Sequence, residues 1–414
     1  MSVIEMSIDR QSFWQLAKEP ARRDALFAAS FGWMLDSMDV MLYSMVIPQA
    51  QVDLHMSAAT AGLIMSLTLV MAAVGGIGFG FVADKLGRTR ALSLSILIYT
   101  VCTGLCAFVQ TVPQLAICRM LLGIGMGGEW AAGAALVAET WPQQHRAKAL
   151  ALVQSSWAIG YALAAVLVAL IMPHYGWRGV FLAGLLPALI TIWIRRRVKE
   201  PEHWAPAPDV SVKELFRGRL AKRTLVISSM NAASLFAWWG LFSWAPSFLA
   251  APVSKGGHGL DILHTSTWTV VMQLGTFLGY TSFGLFADRF PRKWVYVTFL
   301  FVAAAVVPLY AVVQSSTALL LLGPVVGFWG TGYFSGFSVI ASEAFPTALR
   351  GRAMGFGYNL GRIISAAAPY TVGRIAQERG FAFGLSITAT GFLLAGFIAL
   401  FLGRDWNEDA VSQP

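Results

Sequence analysis

The chain has 414 residues, of which 57% are hydrophobic and only 12% charged, and its 30 Lys and Arg against 21 Asp and Glu leave a net charge of +9. A soluble domain carries about 25% charged residues, so this composition excludes one and reads as an integral membrane protein. The positive surplus needs no nucleic acid to explain it, because it sits in the polar connections between apolar runs.

Residues 1–23 are polar, with a short amphipathic piece, SFWQLAKE, and no cleavable signal peptide is expected. Twelve apolar runs follow, most about 20 residues long, enough to cross a hydrocarbon core about 30 Å thick at 1.5 Å per helical residue. The expected spans are 25–48, 58–83, 90–110, 113–139, 147–171 and 178–195, then 224–249, 266–287, 293–312, 316–343, 352–375 and 381–403. The longest polar connection, RRRVKEPEHWAPAPDVSVKELFRGRLAKR, separates the sixth from the seventh. The expected organisation is a cytoplasmic N-terminal segment (1–24), a six-helix bundle (25–195), a central cytoplasmic loop (196–223), a second six-helix bundle (224–403) and a cytoplasmic tail (404–414). With this orientation 24 of the 30 Lys and Arg face the cytoplasm, and only Arg178, Lys255, Arg374 and Arg379 face outward. That bias is the positive-inside rule, and it predicts a multi-pass protein of the inner (cytoplasmic) membrane with both termini in the cytoplasm.

Cys102, Cys106 and Cys118 fall in apolar runs, which indicates no disulfide framework, and the six His show no metal-ligand spacing. No metal and no cofactor is expected. The fourth span, RMLLGIGMGGEW, carries Gly123, Gly125 and Gly128 in the spacing of a dinucleotide-binding turn. No strand precedes it and apolar helix continues on both sides, so the phosphate reading fails. Small residues packing one membrane helix on another explain the glycines.

The chain repeats itself at an offset of 204. FGFVADKLGR (79–88) returns as FGLFADRFPR (283–292), and ETWPQQHR (139–146) returns as EAFPTALR (343–350). Two parallel six-helix repeats mark a secondary transporter whose substrate site lies between the halves near mid-bilayer.

GFVADKLGRTR resembles the loop 2–3 motif of the major facilitator superfamily, and the layout agrees over essentially the whole chain. The resemblance implies an all-α membrane fold of two pseudo-symmetric six-helix bundles. It also assigns Gly80, Asp84, Lys85, Gly87, Arg88, Glu139 and Arg146, with Asp288, Arg292, Glu343 and Arg350, to cytoplasmic gating. A narrower resemblance, to the aromatic-acid and sialate proton symporters, rests on LDSMD in span 1, RMLLGIGMGGEW in span 4, the two E-x-x-P-x-x-x-R motifs and YNLGRI in span 11. Span 1 departs from that pattern with Ser37 and Met38 between its two acids, where a Gly and an aromatic residue are usual.

Five ionisable residues fall inside spans: Asp36, Asp39, Arg119, Glu129 and Arg362. Each costs at least about 2.5–3.5 kcal/mol to insert and requires a partner or a wet cavity. Helix rise puts Asp36, Glu129 and Arg362 near the midplane and Asp39 at the depth of Arg119. An Asp39–Arg119 ion pair is therefore expected, and Asp36, Asp39, Glu129 and Arg119 are candidates for proton coupling. Arg362 is the candidate for a substrate carboxylate, since a guanidinium presents paired donors that match one. Gln154, Asn231, Trp238, Gln273, Tyr333, Tyr358 and Asn359 are further candidates for the cavity.

These readings predict a transporter, not an enzyme: proton-coupled symport of a small organic anion such as an aromatic acid, monocarboxylate or sialate, by alternating access. The expected partners are that anion, protons and the lipid bilayer, with no nucleic acid, and the expected working unit is a monomer. A neutral sugar or polyol is the alternative substrate, and a non-transporting membrane sensor the remote one.

Overall fold

The computed structural model describes residues 12–186, 188–189, 193 and 212–403, and over these the chain is helical, with no strand. Hydrocarbon offers backbone groups no water, and a helix satisfies them within one segment. A single turn, Phe13–Leu16, precedes α1 (Pro20–Asp53), α2 (Ala58–Leu86), α3 (Arg88–Leu105), α4 (Val112–Thr140) and α5 (Gln143–Ala183). After the central stretch come α6 (Gly218–Ala250), α7 (Ile262–Arg289), α8 (Arg292–Val312), α9 (Ser316–Ala344), α10 (Thr347–Ser365), α11 (Ala367–Arg379), α12 (Phe381–Ser386) and α13 (Thr388–Ala399).

Polar side chains start several of these helices by accepting a free first-turn amide. Ser57 accepts from Thr60 N at 3.1 Å, Asp261 from His264 N at 2.8 Å, and Thr111 forms a capping box with Gln114. Gly87 joins α2 to α3 at φ 96°, a backbone that any residue with a Cβ adopts only under strain.

Within α5 the chain leaves helical geometry at Gly176, where φ is 62° and ψ is −174°, so two helices meet there without a loop, just before the expected start of the sixth span at 178. One expected boundary is corrected. The eleventh is not one helix, since it breaks at Ala366 into α10 and α11. Among the described residues nine helical segments are long and apolar enough to cross a membrane. The expected fourth, sixth and eleventh spans are outside that set. The sixth runs into residues that are not described, and the eleventh is broken and carries Arg352, Arg362 and Arg374. Residues 1–11 of the expected N-terminal segment, 196–211 of the expected central loop and the whole expected tail, 404–414, lie outside the described residues.

The internal repeat reappears as contacts. Gly75 packs on the backbone of Ile124, and Gly279 on that of Phe328; Gly123 packs on Thr68 and Ala72, and Gly327 on Met272 and Thr276. Both members of each contact shift by the same 204 residues. The glycines of span 4 are thus packing surfaces, with Gly123 and Gly127 turned to α2 and Gly125 to α3. At Gly127 the carbonyl of Ala72 and the amide nitrogen of Gly76 leave no room for a Cβ, whereas at Gly78 nothing lies within 4 Å of one. Gly127→Val is expected to force α2 off α4 and to cost about 3 kcal/mol. Thermal unfolding in detergent checks this against Gly78→Ala, and equal melting of the two variants would contradict the close-packing account.

The ion pairs repeat as well. Arg88 Nε meets Glu139 Oε1 at 3.1 Å, and Arg292 pairs with Glu343. The two motifs of each half, read separately in the sequence, are bridged to one another.

The halves join along α2. A Cβ at Gly62 would collide with Pro369, Gly373 packs against Ala58, and Ser66 Oγ accepts from Tyr370 N at 3.2 Å, all between α2 and α11. Tyr161 of α5 donates to the Phe242 carbonyl of α6 at 2.8 Å. At the other end, Gly80, Gly284 and Gly355 have no atom within 4 Å of a Cβ position.

Candidate functional site

A narrow cleft with a cavity volume of about 20 Å³ lies between the halves. Helices α1, α4 and α5 contribute Trp33, Met126, Gln154 and Trp157; α6, α7, α9 and α10 contribute Leu235, Trp238, Trp239, Tyr280, Phe334, Tyr358 and Arg362. Its walls are aromatic. Trp157 lies 4.7 Å from Trp33, 5.7 Å from Trp238 and 6.2 Å from Trp239, ring centre to ring centre, so it bridges the halves. Gln154 and Tyr280 line it from opposite sides of the same divide.

Arg362 is 2% exposed and makes no ion pair among the described residues. Its Nη2 donates to Tyr358 Oη at 3.2 Å, and its guanidinium carbon lies 4.8 Å from the Tyr358 ring centre. The two residues are one turn apart on α10, so the tyrosine braces the guanidinium from its own helix. Among the described residues no acidic side chain lines the cleft that Arg362 borders.

The acids occupy the facing half. Asp36, Asp39 and Glu129 are fully buried, and neither oxygen of Asp36 or of Glu129 has a hydrogen-bond partner among the described residues. The Glu129 carboxyl fills the notch left by Gly32 of α1, where a Cβ would collide with its Oε1. Gly32 is one turn from Asp36, so the two carboxyls are neighbours on facing helices and act on each other electrostatically. Asp36 also lies in the fields of Arg362 and Arg119. This carboxyl therefore connects the acid cluster to the cleft.

The expected Asp39–Arg119 ion pair is corrected. None of the Arg119 guanidinium nitrogens has a hydrogen-bond partner among the described residues, and its carbon sits 4.7 Å from the Tyr43 ring centre. Asp39 accepts from Thr103 Oγ1 of α3 at 3.1 Å instead. The reason is register. Gly32 opposite Glu129 and Tyr43 opposite Arg119 fix α1 antiparallel to α4, so Asp39 falls four residues short of Arg119, about 6 Å along the axis. The two remain electrostatic neighbours.

Of the expected cavity residues, Arg362, Tyr358, Gln154 and Trp238 line the cleft. The others do not. Asn231 donates to the Gly357 carbonyl at 3.2 Å and ties α6 to α10, while Tyr333 donates to the Ser234 carbonyl at 3.0 Å and ties α9 to α6. Asn359 bonds back to Gly355 O at 3.0 Å with its oxygen against Gly76, and Gln273 is buried outside the cleft. Trp33, Trp157 and Tyr280 were missing from the expected set. The signal for two of them was spacing: Trp33 is three residues before Asp36 and Trp157 three after Gln154, which puts each pair on one helix face.

The gating residues gather at the ends of α2 and α7. Lys85 and Asp288 are exposed, Arg146 Nη2 reaches the Trp141 carbonyl at 3.5 Å, and the side chains of Asp84 and Arg350 lie outside the described residues.

Known proteins agree with this architecture. The chain is 34% identical over 402 residues to a protein of Cupriavidus pinatubonensis named "Probable 4-methylmuconolactone transporter", covering 94% of this chain and 92% of that one. It is 31% identical over 401 residues to a sialic acid transporter of Escherichia coli, covering 93% and 96%. The crystal structure of a bacterial homologue of the human lysosomal transporter Spinster, inward-facing and occupied, superposes with a TM-score of 0.78 at 17% identity, over 96% of this chain and all of that one. Residues 236–401 match the family model described as sugar (and other) transporters, and residues 29–253 match that of the major facilitator superfamily. The chain is a multi-pass membrane protein that belongs to the major facilitator superfamily of transporters.

Proposed function

We propose that this protein is a proton-coupled symporter of a small organic carboxylate that works by alternating access. Arg362 takes the carboxylate, and the observation that carries this reading is its burial at an aromatic cleft between the halves with no ion pair of its own. A buried guanidinium without a counter-ion is costly, and a substrate anion supplies one. Tyr358, Gln154 and Trp238 complete the binding surface. Asp36 carries the proton, with Glu129 beside it and Asp39 and Arg119 setting the local field. A carboxyl withdrawn from water in reach of a cation is the arrangement a proton carrier requires.

In this reading the chain crosses the inner membrane twelve times, as bundles 25–195 and 224–403 joined by the 196–223 loop, with both termini cytoplasmic and a monomer as the working unit. The Arg88–Glu139 and Arg292–Glu343 pairs hold one of two rocking states. Each pair alone is worth about 0–1 kcal/mol, and together they bias the equilibrium.

Ligand-induced thermal stabilisation with benzoates, lactate, pyruvate, sialate and neutral sugars, followed by uptake of the labelled hits into proteoliposomes under a pH gradient, tests the proposal. Stabilisation by carboxylates is expected. The match of residues 236–401 to sugar transporters favours a neutral sugar as the second reading, and stabilisation by sugars alone would establish it in place of the first.

A further inference from the structure

The cleft contains two hydrogen-bond donors that no described residue answers. Trp157 Nε1 and Trp238 Nε1 are both buried without a hydrogen-bond partner among the described residues. The two side chains are 3% exposed, line the same cleft, and stand edge-to-face with ring centres 5.7 Å apart. Elsewhere in the protein buried indoles find acceptors: Trp244 Nε1 donates to the Pro369 carbonyl at 2.8 Å, and Trp177 Nε1 to Asp53 Oδ2 at 2.7 Å. Buried indole N–H groups usually do so. Two failures at one place, from opposite halves, mark a place where an acceptor arrives from outside.

That acceptor is not the carboxylate, because Arg362 and Tyr358 already provide for it. The wall around the two donors is flat and apolar, made by Trp33, Trp239 and Phe334 with the donor rings themselves. A polyhydroxylated body would bring several hydroxyl groups to a mostly aromatic wall on which Gln154 and Tyr280 are the other polar side chains beside Arg362 and Tyr358. We infer that Trp157 and Trp238 are specificity-determining residues that hold a second acceptor oxygen of the substrate. The substrate class is a planar, unsaturated or aromatic acid bearing, besides its carboxylate, a hydroxyl, carbonyl or second carboxylate oxygen. Because one donor belongs to each half, a substrate that meets both also pulls the halves together. The inference rests on the carboxylate reading of Arg362 and narrows it.

The test compares benzoate with 3- and 4-hydroxybenzoate as probes, by uptake into proteoliposomes and by thermal stabilisation, in the parent protein and in Trp157→Phe and Trp238→Phe. Phenylalanine keeps an aromatic wall and removes only the N–H. The parent is expected to favour at least one hydroxybenzoate over benzoate by about tenfold, as one hydrogen bond to a buried donor provides. Each variant should lose that preference through KM, its loss for the preferred hydroxybenzoate exceeding any loss for benzoate by about tenfold, and stabilisation by benzoate reports that the variant is folded. Equal affinity of the parent for all three acids, or variants that weaken all three alike, would overturn the assignment. The comparison within the parent decides the matter even where a variant does not fold. If sialate alone among the carboxylates is taken up, the planar-acid inference falls and the carboxylate reading survives. If no carboxylate binds, both fall.

Discussion

Arg362→Ala is expected to lower uptake of the carboxylate substrate, as kcat/KM, by a factor of about 100 to 1,000. Hydrogen bonds to a charged partner are each worth about 1.5–3 kcal/mol, and a guanidinium gives a carboxylate two of them in parallel. At 1.4 kcal/mol per tenfold, their loss corresponds to two or three decades. The site compensates poorly, because the described residues place no other cation on the cleft. Arg119, another buried cation, is held over Tyr43 further along α1. Arg362→Lys separates charge from geometry: it keeps the positive charge and loses the fork and the brace from Tyr358 Oη, so about a tenfold loss is expected. The check is initial-rate uptake into proteoliposomes together with binding by thermal stabilisation. Parent-like transport by Arg362→Ala would remove the main support for an anionic substrate.

Asp36→Asn is expected to abolish accumulation driven by a pH gradient while leaving substrate exchange between equal pH compartments within about threefold of the parent. Asparagine preserves shape and polarity but cannot gain or release a proton. Exchange requires only that the halves rock around a bound substrate, and uphill transport requires the proton to travel with it. Asp36 is singled out because it alone among the buried acids acts electrostatically with Arg362, with Arg119 and with Glu129. Asp39 has Thr103 as a partner, so Asp39→Asn should weaken transport less and leave coupling in place. Counterflow and pH-jump uptake on the same vesicles distinguish the cases. Continued uphill uptake by Asp36→Asn would move the proton site elsewhere, with Glu129→Gln the next variant to measure.

Much of this was legible from the sequence, for identifiable reasons. An ionisable residue in an apolar run announces itself because burial of charge in hydrocarbon is costly, and all five such residues proved to be buried together around the middle of the protein. The offset of 204 was legible because a duplicated bundle repeats its helix-packing glycines along with its loop motifs. Glycines 75 and 279 meet Ile124 and Phe328 at the same offset. Four of the eleven residues that line the cleft, Arg362, Tyr358, Gln154 and Trp238, were legible too, the first three because a polar or charged side chain has little reason to sit in lipid.

The rest was decided between helices. Depth along a helix follows from 1.5 Å per residue, and it put Asp39 level with Arg119. Rotation and register follow from which small residues let two backbones touch, and Gly32 against Glu129 fixed a register that gave Arg119 to Tyr43. The tryptophans show the same limit. Spacing puts Trp33 on the helix face of Asp36 and Trp157 on that of Gln154, but only the rotation of each helix decides whether that face meets lipid or a cleft. The sequence by itself determined membrane class, helical secondary structure, the internal repeat and the buried charges, because each depends on composition or spacing along one chain. Only the tertiary structure decided the ion pairing of the acids, the bridging of the two loop motifs and the aromatic wall with its two unanswered donors, because those depend on how separate helices are turned and aligned.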